Sequence, residues 1–160
     1  MPGMGTLIRF LQFLSLGIWI GSVLFFGAVV APAVFTVVSD ADQAGSIIGL
    51  TLGRMHLMGL VAGVVYLIAT AVGEHSPKAL LRPAPLLVLL MMLLTFLSQF
   101  WVIGTMDALR AQMGSVAATP ATNALRARFD HLHTLSVRLE MGVLAAGLIA
   151  LALTSRRPAP

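Results

Sequence analysis

The chain has 160 residues, of which 58% are hydrophobic and only 10% are charged, and its formal net charge is +4 at pH 7. A soluble domain normally carries about a quarter charged residues, so this composition excludes a globule whose whole surface faces water. The remaining apolar surface must therefore meet the lipid bilayer. Because the chain has no cysteine, disulfides and thiolate metal sites are also excluded. No basic stretch is interleaved with aromatic residues, so we predict no nucleic-acid partner.

Four apolar stretches are long enough to cross a bilayer, since a helix needs about 20 residues to span roughly 30 Å. We predict spans near residues 7–38, 44–72, 84–110 and 123–154, within one membrane domain covering residues 1–160. The first stretch is about twice as long as the apolar region of a signal peptide, so we predict an uncleaved span. Its length allows it to tilt or to kink at Pro32. The runs show no period-two alternation. The predicted fold class is therefore all-α, an integral membrane four-helix transmembrane bundle of up-down topology.

Glycines recur every four residues on the second predicted span, at Gly45, Gly49 and Gly53, and the same spacing returns at Gly59 and Gly63. Small residues at this interval form a groove into which another helix can settle closely. We interpret this groove first as packing within the bundle. The alternative is a homo-oligomer that forms through Gly45, Gly49 and Gly53.

Basic residues near the ends of the spans predict the orientation, because cytoplasmic loops carry an excess of Lys and Arg. With both termini in the cytoplasm, the basic residues on the cytoplasmic side are Arg9, Lys78, Arg82, Arg156 and Arg157. Those toward the opposite side are Arg54, Arg110, Arg126 and Arg128. The first set favours cytoplasmic termini.

Polar residues gather in the half of the bundle where the second and fourth spans begin, and we expect the other half to be almost wholly apolar. The predicted polar pocket comprises Arg54, His56, Gln99, Asp130, His133, Ser136 and Glu140. The four from the fourth span are separated by three, three and four residues, so they are predicted to share one helical face. An ionised Glu140 at this depth costs several kcal/mol unless it is paired. Arg54 and Arg138 are its expected partners.

Three interpretations of this pocket stay open. The first is a hydrogen-bonded network that only holds helices together, as in a structural or assembly subunit of a membrane complex. The second is a one-sided pocket that handles a small solute or cation, with Glu140, His133 and Arg54 as titratable members. The third is a haem- or copper-binding protein with His56 and His133 as ligands. No hydrolytic or phosphate-binding motif is present, so no catalytic residue is predicted and an enzyme is not expected.

Two sets of motifs in the chain are familiar. The first is Trp19-x-Gly21, Phe25-Phe26 and Ala31-Pro32-x-x-Phe35, followed by Ala44-Gly45, Gly49 and His56. The second is Phe129-Asp130-x-Leu132-His133-x-x-Ser136 on the fourth span. Together they resemble the bacterial relatives of vertebrate transmembrane protein 205, a family filed as a domain of unknown function with the number 4149. The resemblance covers about residues 10–150.

What this resemblance implies is a four-helix protein of the bacterial cytoplasmic (inner) membrane. The vertebrate member is linked to platinum-drug tolerance and vesicular export, so the resemblance favours the handling of a solute or metal and hence a role in transport. The family also leads us to expect an amide near position 140, where this chain has Glu140.

Overall fold

The computed structural model describes residues 2–156 of the chain. Four long apolar helices pack antiparallel, and each is long and apolar enough to cross a membrane. The first comprises Pro2–Phe25, a π-helical turn Phe26–Val30 and Ala31–Val37; the second is Ala41–Gly73; the third comprises Pro83–Phe96, a π-helical turn Leu97–Ile103 and Gly104–Met113; the fourth is Ala124–Ser155. A short 3-10 helix, Pro77–Leu81, connects the second and third helices. This architecture confirms the predicted all-α four-helix fold.

Polar caps and prolines set where the helices begin. The second helix starts after Asp40, whose carboxylate accepts hydrogen bonds from the backbone N–H groups of Asp42 (2.9 Å) and Gln43 (3.1 Å). The fourth starts after Asn123, whose side-chain oxygen accepts from the N–H of Leu125 at 2.8 Å. These side chains satisfy amides that have no partner in the first helical turn. Pro83 opens the third helix, where its missing N–H removes no helical hydrogen bond.

Two of the four helices contain a π-helical turn. In the first helix the turn Phe26–Val30 directly precedes Pro32. The proline ring has no N–H to donate and crowds the carbonyl of Ala28 four residues earlier, and a wider turn gives that carbonyl room. The kink expected at Pro32 thus takes the form of a π-helical turn. The turn Leu97–Ile103 in the third helix contains no proline but includes Gln99.

The first and second helices approach closely at Trp19, which is only 2% exposed. A Cβ atom at Gly59 would lie 2.4 Å from the indole Nε1, and one at Gly63 would lie 2.8 Å from Cζ3. The indole therefore fills the space that these two glycines leave open. For Gly59 and Gly63, the glycine spacing marks packing within the bundle.

Three further glycines of the second helix, at positions 45, 49 and 53, are on the side that faces the third helix. A Cβ at Gly45 would lie 3.3 Å from Nη2 of Arg110, and one at Gly53 would lie 3.6 Å from Oε1 of Gln99. A Cβ at Gly49 would meet nothing within 4 Å. Because these glycines have no side chains, the second helix leaves room on this side for the two long polar side chains of the third.

A second polar cluster lies in the half of the bundle that we expected to be almost wholly apolar. The Tyr66 hydroxyl and Thr154 Oγ1 are 2.7 Å apart, and Gln12 Nε2 donates to Thr70 Oγ1 at 2.9 Å. Thr70 in turn donates to the backbone oxygen of Tyr66. The expectation was wrong because these neutral side chains satisfy one another across three helices, which an inventory of charged residues does not reveal.

The loop between the third and fourth helices is tied to the bundle by two charged side chains. The Asp42 carboxylate accepts from Ser115 Oγ (2.5 Å) and from the N–H groups of Val116 (2.9 Å) and Ala117 (3.3 Å). Arg126 Nη1 donates to the carbonyl of Val116 at 2.5 Å. The loop is thereby held against the start of the second and fourth helices.

We predict that Gly59→Ala lowers the thermal unfolding midpoint of the detergent-purified protein, because the added methyl group overlaps the Trp19 ring. Overpacking of this kind costs about 1–3 kcal/mol. The matched control is Gly49→Ala on the same helix, which fills open space and gains helix propensity. Tryptophan fluorescence during a temperature ramp provides the measurement. Equal midpoints for the two variants would contradict the packing described for Trp19.

Candidate functional site

His56 is the centre of the candidate site, and its side chain is 2% exposed. Ring nitrogen Nδ1 lies 2.7 Å from Oε1 of Gln99, and Nε2 lies 2.5 Å from Oε1 of Glu140. The histidine comes from the second helix, the glutamine from the π-helical turn of the third and the glutamate from the fourth. Three of the seven predicted pocket residues are therefore in direct contact, each from a different helix.

The donors and acceptors of this triad restrict where its protons can lie. With the Gln99 amide oxygen facing Nδ1 of His56, that nitrogen carries a hydrogen and donates it, because an amide oxygen only accepts. Nε2 then either donates to an ionised Glu140 or accepts from a protonated one. In both arrangements one proton lies between Nε2 and Oε1 and the pair has no net charge.

The second carboxylate oxygen of Glu140, Oε2, is buried and has no hydrogen-bond partner among residues 2–156. The hydroxyl oxygens of Thr95 and Ser98 on the third helix share this property. Because a Cβ at Gly142 would lie 3.2 Å from Cδ1 of Leu94, the antiparallel register brings these hydroxyls to the depth of the glutamate. Buried oxygens of this kind are suited to bind a water molecule or a small cation.

A cavity of about 430 Å³ lies between the second and third helices. Its lining residues are Ser46, Gly49, Leu50, Gly53, Arg54, Leu57, Gln99, Ile103, Asp107 and Arg110. We call it the lateral groove, because Leu50 and Leu57 on its rim are 62% and 64% exposed on the side of the bundle. Gln99 belongs both to the groove and to the triad. A molecule in the groove can therefore contact the amide that holds His56.

The other predicted pocket residues are not part of the triad. Ser136 is buried, and its hydroxyl donates to the backbone oxygen of His133 on its own helix. His133 and Asp130 are exposed, and Asp130 accepts from Arg126 Nε at 3.0 Å. Arg54 is exposed and lines the lateral groove.

The rotation of the fourth helix explains this separation. Its buried face follows Phe129, Leu132, Ser136 and Val143. At about 100° per residue, Glu140 stands at the edge of that face, whereas His133 lies just outside it and Asp130 nearly opposite. The three- and four-residue spacings seen in the sequence therefore describe a broad helical stripe, of which only part faces the bundle.

The partner of Glu140 is His56, not Arg54 or Arg138, which we expected from the sequence. Arg138 is exposed. One signal pointed to the observed pair: the second and fourth helices begin on the same side of the bundle. His56 and Glu140 each lie roughly 22–24 Å from the start of their helix at 1.5 Å per residue. Equal depth on two parallel helices would have identified the pair.

The donor set does not favour the haem or copper site that we predicted at His56 and His133. Both ring nitrogens of His56 are occupied by hydrogen bonds. Within the part of the chain that the structure describes, no hydrogen bond joins the exposed His133 ring to another pocket residue. Nor do residues 2–156 contain a group of three or more His, Asp and Glu side chains able to hold a metal ion. The cofactor site stays a prediction.

Over residues 14–115 the chain matches the model of a family described as "Domain of unknown function (DUF4149)". The matched part contains His56 and Gln99 of the triad, and Glu140 lies outside it. The match confirms the resemblance that the motifs indicated. No curated protein and no solved structure matches the chain.

We predict that His56→Ala lowers the free energy of unfolding by about 3–5 kcal/mol, because it leaves the Glu140 carboxylate buried without a partner. Arg54→Ala, the control, removes a side chain without such a contact and should change it by at most about 0.5 kcal/mol. The double variant His56→Ala/Glu140→Ala should lose less than the sum of its single variants. Unfolding by sodium dodecyl sulfate in mixed micelles measures the free energy of unfolding for His56→Ala, Glu140→Ala, the double variant and Arg54→Ala. A large loss in Arg54→Ala would instead identify that arginine as the counter-ion of Glu140.

Proposed function

The chain belongs to the family of the domain of unknown function DUF4149, and we propose that it handles a small solute in a polar intramembrane pocket coupled to proton exchange at His56 and Glu140. The protein is a multi-pass membrane protein with four apolar helices in contact with lipid. The observation that carries the proposal is the 2.5 Å contact between His56 and Glu140, joined through Gln99 to the lateral groove.

Gln99 is the link between solute and proton in this proposal. Its amide oxygen accepts from His56, and its side chain also lines the groove. A polar solute that hydrogen-bonds to the amide competes for that oxygen and so weakens the hold on Nδ1. The preferred position of the proton between Nε2 and Glu140 changes with it, because a histidine's two ring nitrogens are coupled. Binding in the groove and protonation of the pair thereby influence one another.

The depth and composition of the site support this function over an inert network. Ionisable residues inside membrane spans are costly and are functional candidates by default, and π-helical turns such as the one holding Gln99 occur frequently at functional sites. The assembly-subunit alternative uses the same contacts only to lock three helices together. It predicts that an isosteric Glu140→Gln variant, which keeps a hydrogen bond to His56, retains every activity.

The orientation and the membrane complete the proposal. We place both termini in the cytoplasm of a bacterial inner membrane, supported by Arg9, Lys78, Arg82 and Arg156 at that side; Arg157 lies outside the described residues. The lateral groove then lies toward the opposite, periplasmic side. Self-association through Gly45, Gly49 and Gly53 remains a separate proposal that would compete with a solute for the surface of the groove.

The haem- or copper-binding alternative is tested by an absorption spectrum and a metal analysis of the purified protein. It requires a Soret band or stoichiometric copper that disappears in a His56→Ala/His133→Ala variant. A well-folded, colourless and metal-free protein would remove this alternative and leave the solute pocket and the structural network.

We predict that wild-type proteoliposomes give pH-dependent currents when a solute of the right class is added, and that Glu140→Gln abolishes the pH dependence. A solid-supported membrane records the currents after rapid addition of amino acids, organic cations, organic acids or inorganic anions. Glu74→Gln is the matched control, because this exposed carboxylate pairs with Arg82 outside the pocket.

Two results would overturn the proposed function. One is a Glu140→Gln variant that keeps the wild-type pH dependence. The other is a folded wild-type protein that gives no current with any of the four solute classes. Either result would favour the network that only holds the helices together.

A further inference from the structure

We propose that the lateral groove binds an oxyanion, a phosphate or carboxylate group carried on an apolar tail, between Arg54 and Arg110. This inference rests on the proposed function, for which it names the chemical class of the ligand. The charged groups that line the groove are the two guanidinium groups and the single carboxylate of Asp107. These lining groups carry one net positive charge, which attracts anions. The Asp42 carboxylate, which is outside the lining, also interacts electrostatically with Arg110, so Arg54 is the cation of the groove that is left without a counter-charge.

Arg54 is a cation whose charge is not balanced inside the described chain. It is exposed, and among residues 2–156 no salt bridge or hydrogen bond from its side chain is found. It stands roughly 20 Å along the second helix from its start, within a membrane span. A guanidinium group at such a depth is costly unless an anion or water meets it. An anionic group in the adjoining groove supplies that partner.

Arg110 also has donors to spare. Its Nη1 group is 3.3 Å from Asp107, whose side chain is 62% exposed. Its Nε atom is buried and has no hydrogen-bond partner in the described chain. The guanidinium lies 5.6 Å from the ring centroid of Phe129, which holds it in place at the wall of the groove. A positioned guanidinium with free donors is well suited to bind an oxyanion.

The general lean of helical side chains predicts that the two arginines point toward each other across the groove. Helical side chains lean toward the start of their own helix. Arg54 therefore leans toward Gly45, beside which the Arg110 guanidinium lies. Arg110 leans in the opposite direction, toward Gln99. Between them Gly49 leaves open space, since a Cβ there would touch nothing within 4 Å. An oxyanion at Gly49 can therefore be approached by both guanidinium groups.

The rest of the groove is suited to the tail. Leu50, Leu57 and Ile103 line it, and the two leucines are largely exposed on the side of the bundle. In a bilayer this opening faces acyl chains, so an amphiphile can enter sideways with its tail still in lipid. Basic pockets between membrane helices bind anionic lipid headgroups in this way. The shared chemistry is the oxyanion, and its source is either such a headgroup or a free anion.

The test measures binding to the purified full chain in a neutral detergent. Native mass spectrometry and thermal unfolding are recorded with phosphatidylglycerol, with zwitterionic phosphatidylcholine and with inorganic phosphate. We expect phosphatidylglycerol to bind at least tenfold more tightly than phosphatidylcholine, and Arg54→Gln to weaken that binding about tenfold. Gly49→Leu should also abolish it, because a Cβ at this position meets nothing within 4 Å and the larger side chain extends into the groove that Gly49 lines. This second variant keeps the proposal testable if an arginine variant folds poorly.

Arg138→Gln is the matched control, because it removes another exposed arginine from a membrane span but does not line the groove. Binding of phosphatidylglycerol that depends on Arg54 and Gly49 assigns the groove to a headgroup, and equal protection by inorganic phosphate assigns it to a free oxyanion. An equal loss in Arg138→Gln, or no preference for either anion over phosphatidylcholine, overturns the inference.

The same proteins separate this inference from the proposed function. If anions do not bind but pH-dependent currents still require Glu140, the ligand class is wrong and the coupled pocket stands. If an anion binds through Arg54 and Gly49 while Glu140→Gln changes no current, the groove is a binding site without proton coupling.

Discussion

A polar atom in the interior of a bilayer has no water to bind, and this constraint organises most of the contacts described above. Within a helix, a hydroxyl donates a hydrogen bond to the backbone carbonyl one turn earlier, as Thr51 Oγ1 does to the carbonyl of Ile47 at 2.8 Å. Between helices, polar side chains pair across the interface, as His56 does with Glu140 and Tyr66 with Thr154. Each interhelical pair also fixes the rotation of one helix against another, because a hydrogen bond tolerates little misalignment. Arg54 and Arg138 are exceptions within membrane spans, because neither side chain has a salt bridge or hydrogen bond in the described chain.

The second helix makes contact with each of the others, and its small residues make that arrangement possible. Gly59 and Gly63 admit Trp19 from the first helix, and Gly53 lies beside Gln99 from the third. His56 then reaches the fourth helix directly. The second and fourth helices are diagonal to each other in the bundle, because their backbones make few close contacts. The long side chains of His56 and Glu140 bridge this diagonal at 2.5 Å, so polar pairing reaches across the core where the backbones do not pack closely.

The fold was largely predictable, because four long apolar runs with polar breaks leave few alternatives in a bilayer. The site was predictable only in part. Composition and depth identified His56, Gln99 and Glu140 as polar residues of one half, but helix rotation decides which of them face inward. Asp130 and His133 share a three-residue spacing with Ser136 and still face outward. The π-helical turn at Leu97–Ile103 has no proline to announce it, so the rotation of Gln99 could not be read from a regular period.

The position of the His56–Glu140 pair also has an electrical consequence. Glu140 lies at about the midpoint of the helix Ala124–Ser155, and His56 lies at a similar depth on the second helix. A unit charge moved across the whole membrane works against about 2.3 kcal/mol per 100 mV, so a charge that reaches this depth crosses roughly half of that field, about 1 kcal/mol per 100 mV. The proton exchange that we propose for the pair would therefore depend on the transmembrane voltage as well as on pH. In an energised cell the two sides of the membrane would then not compete equally for this proton.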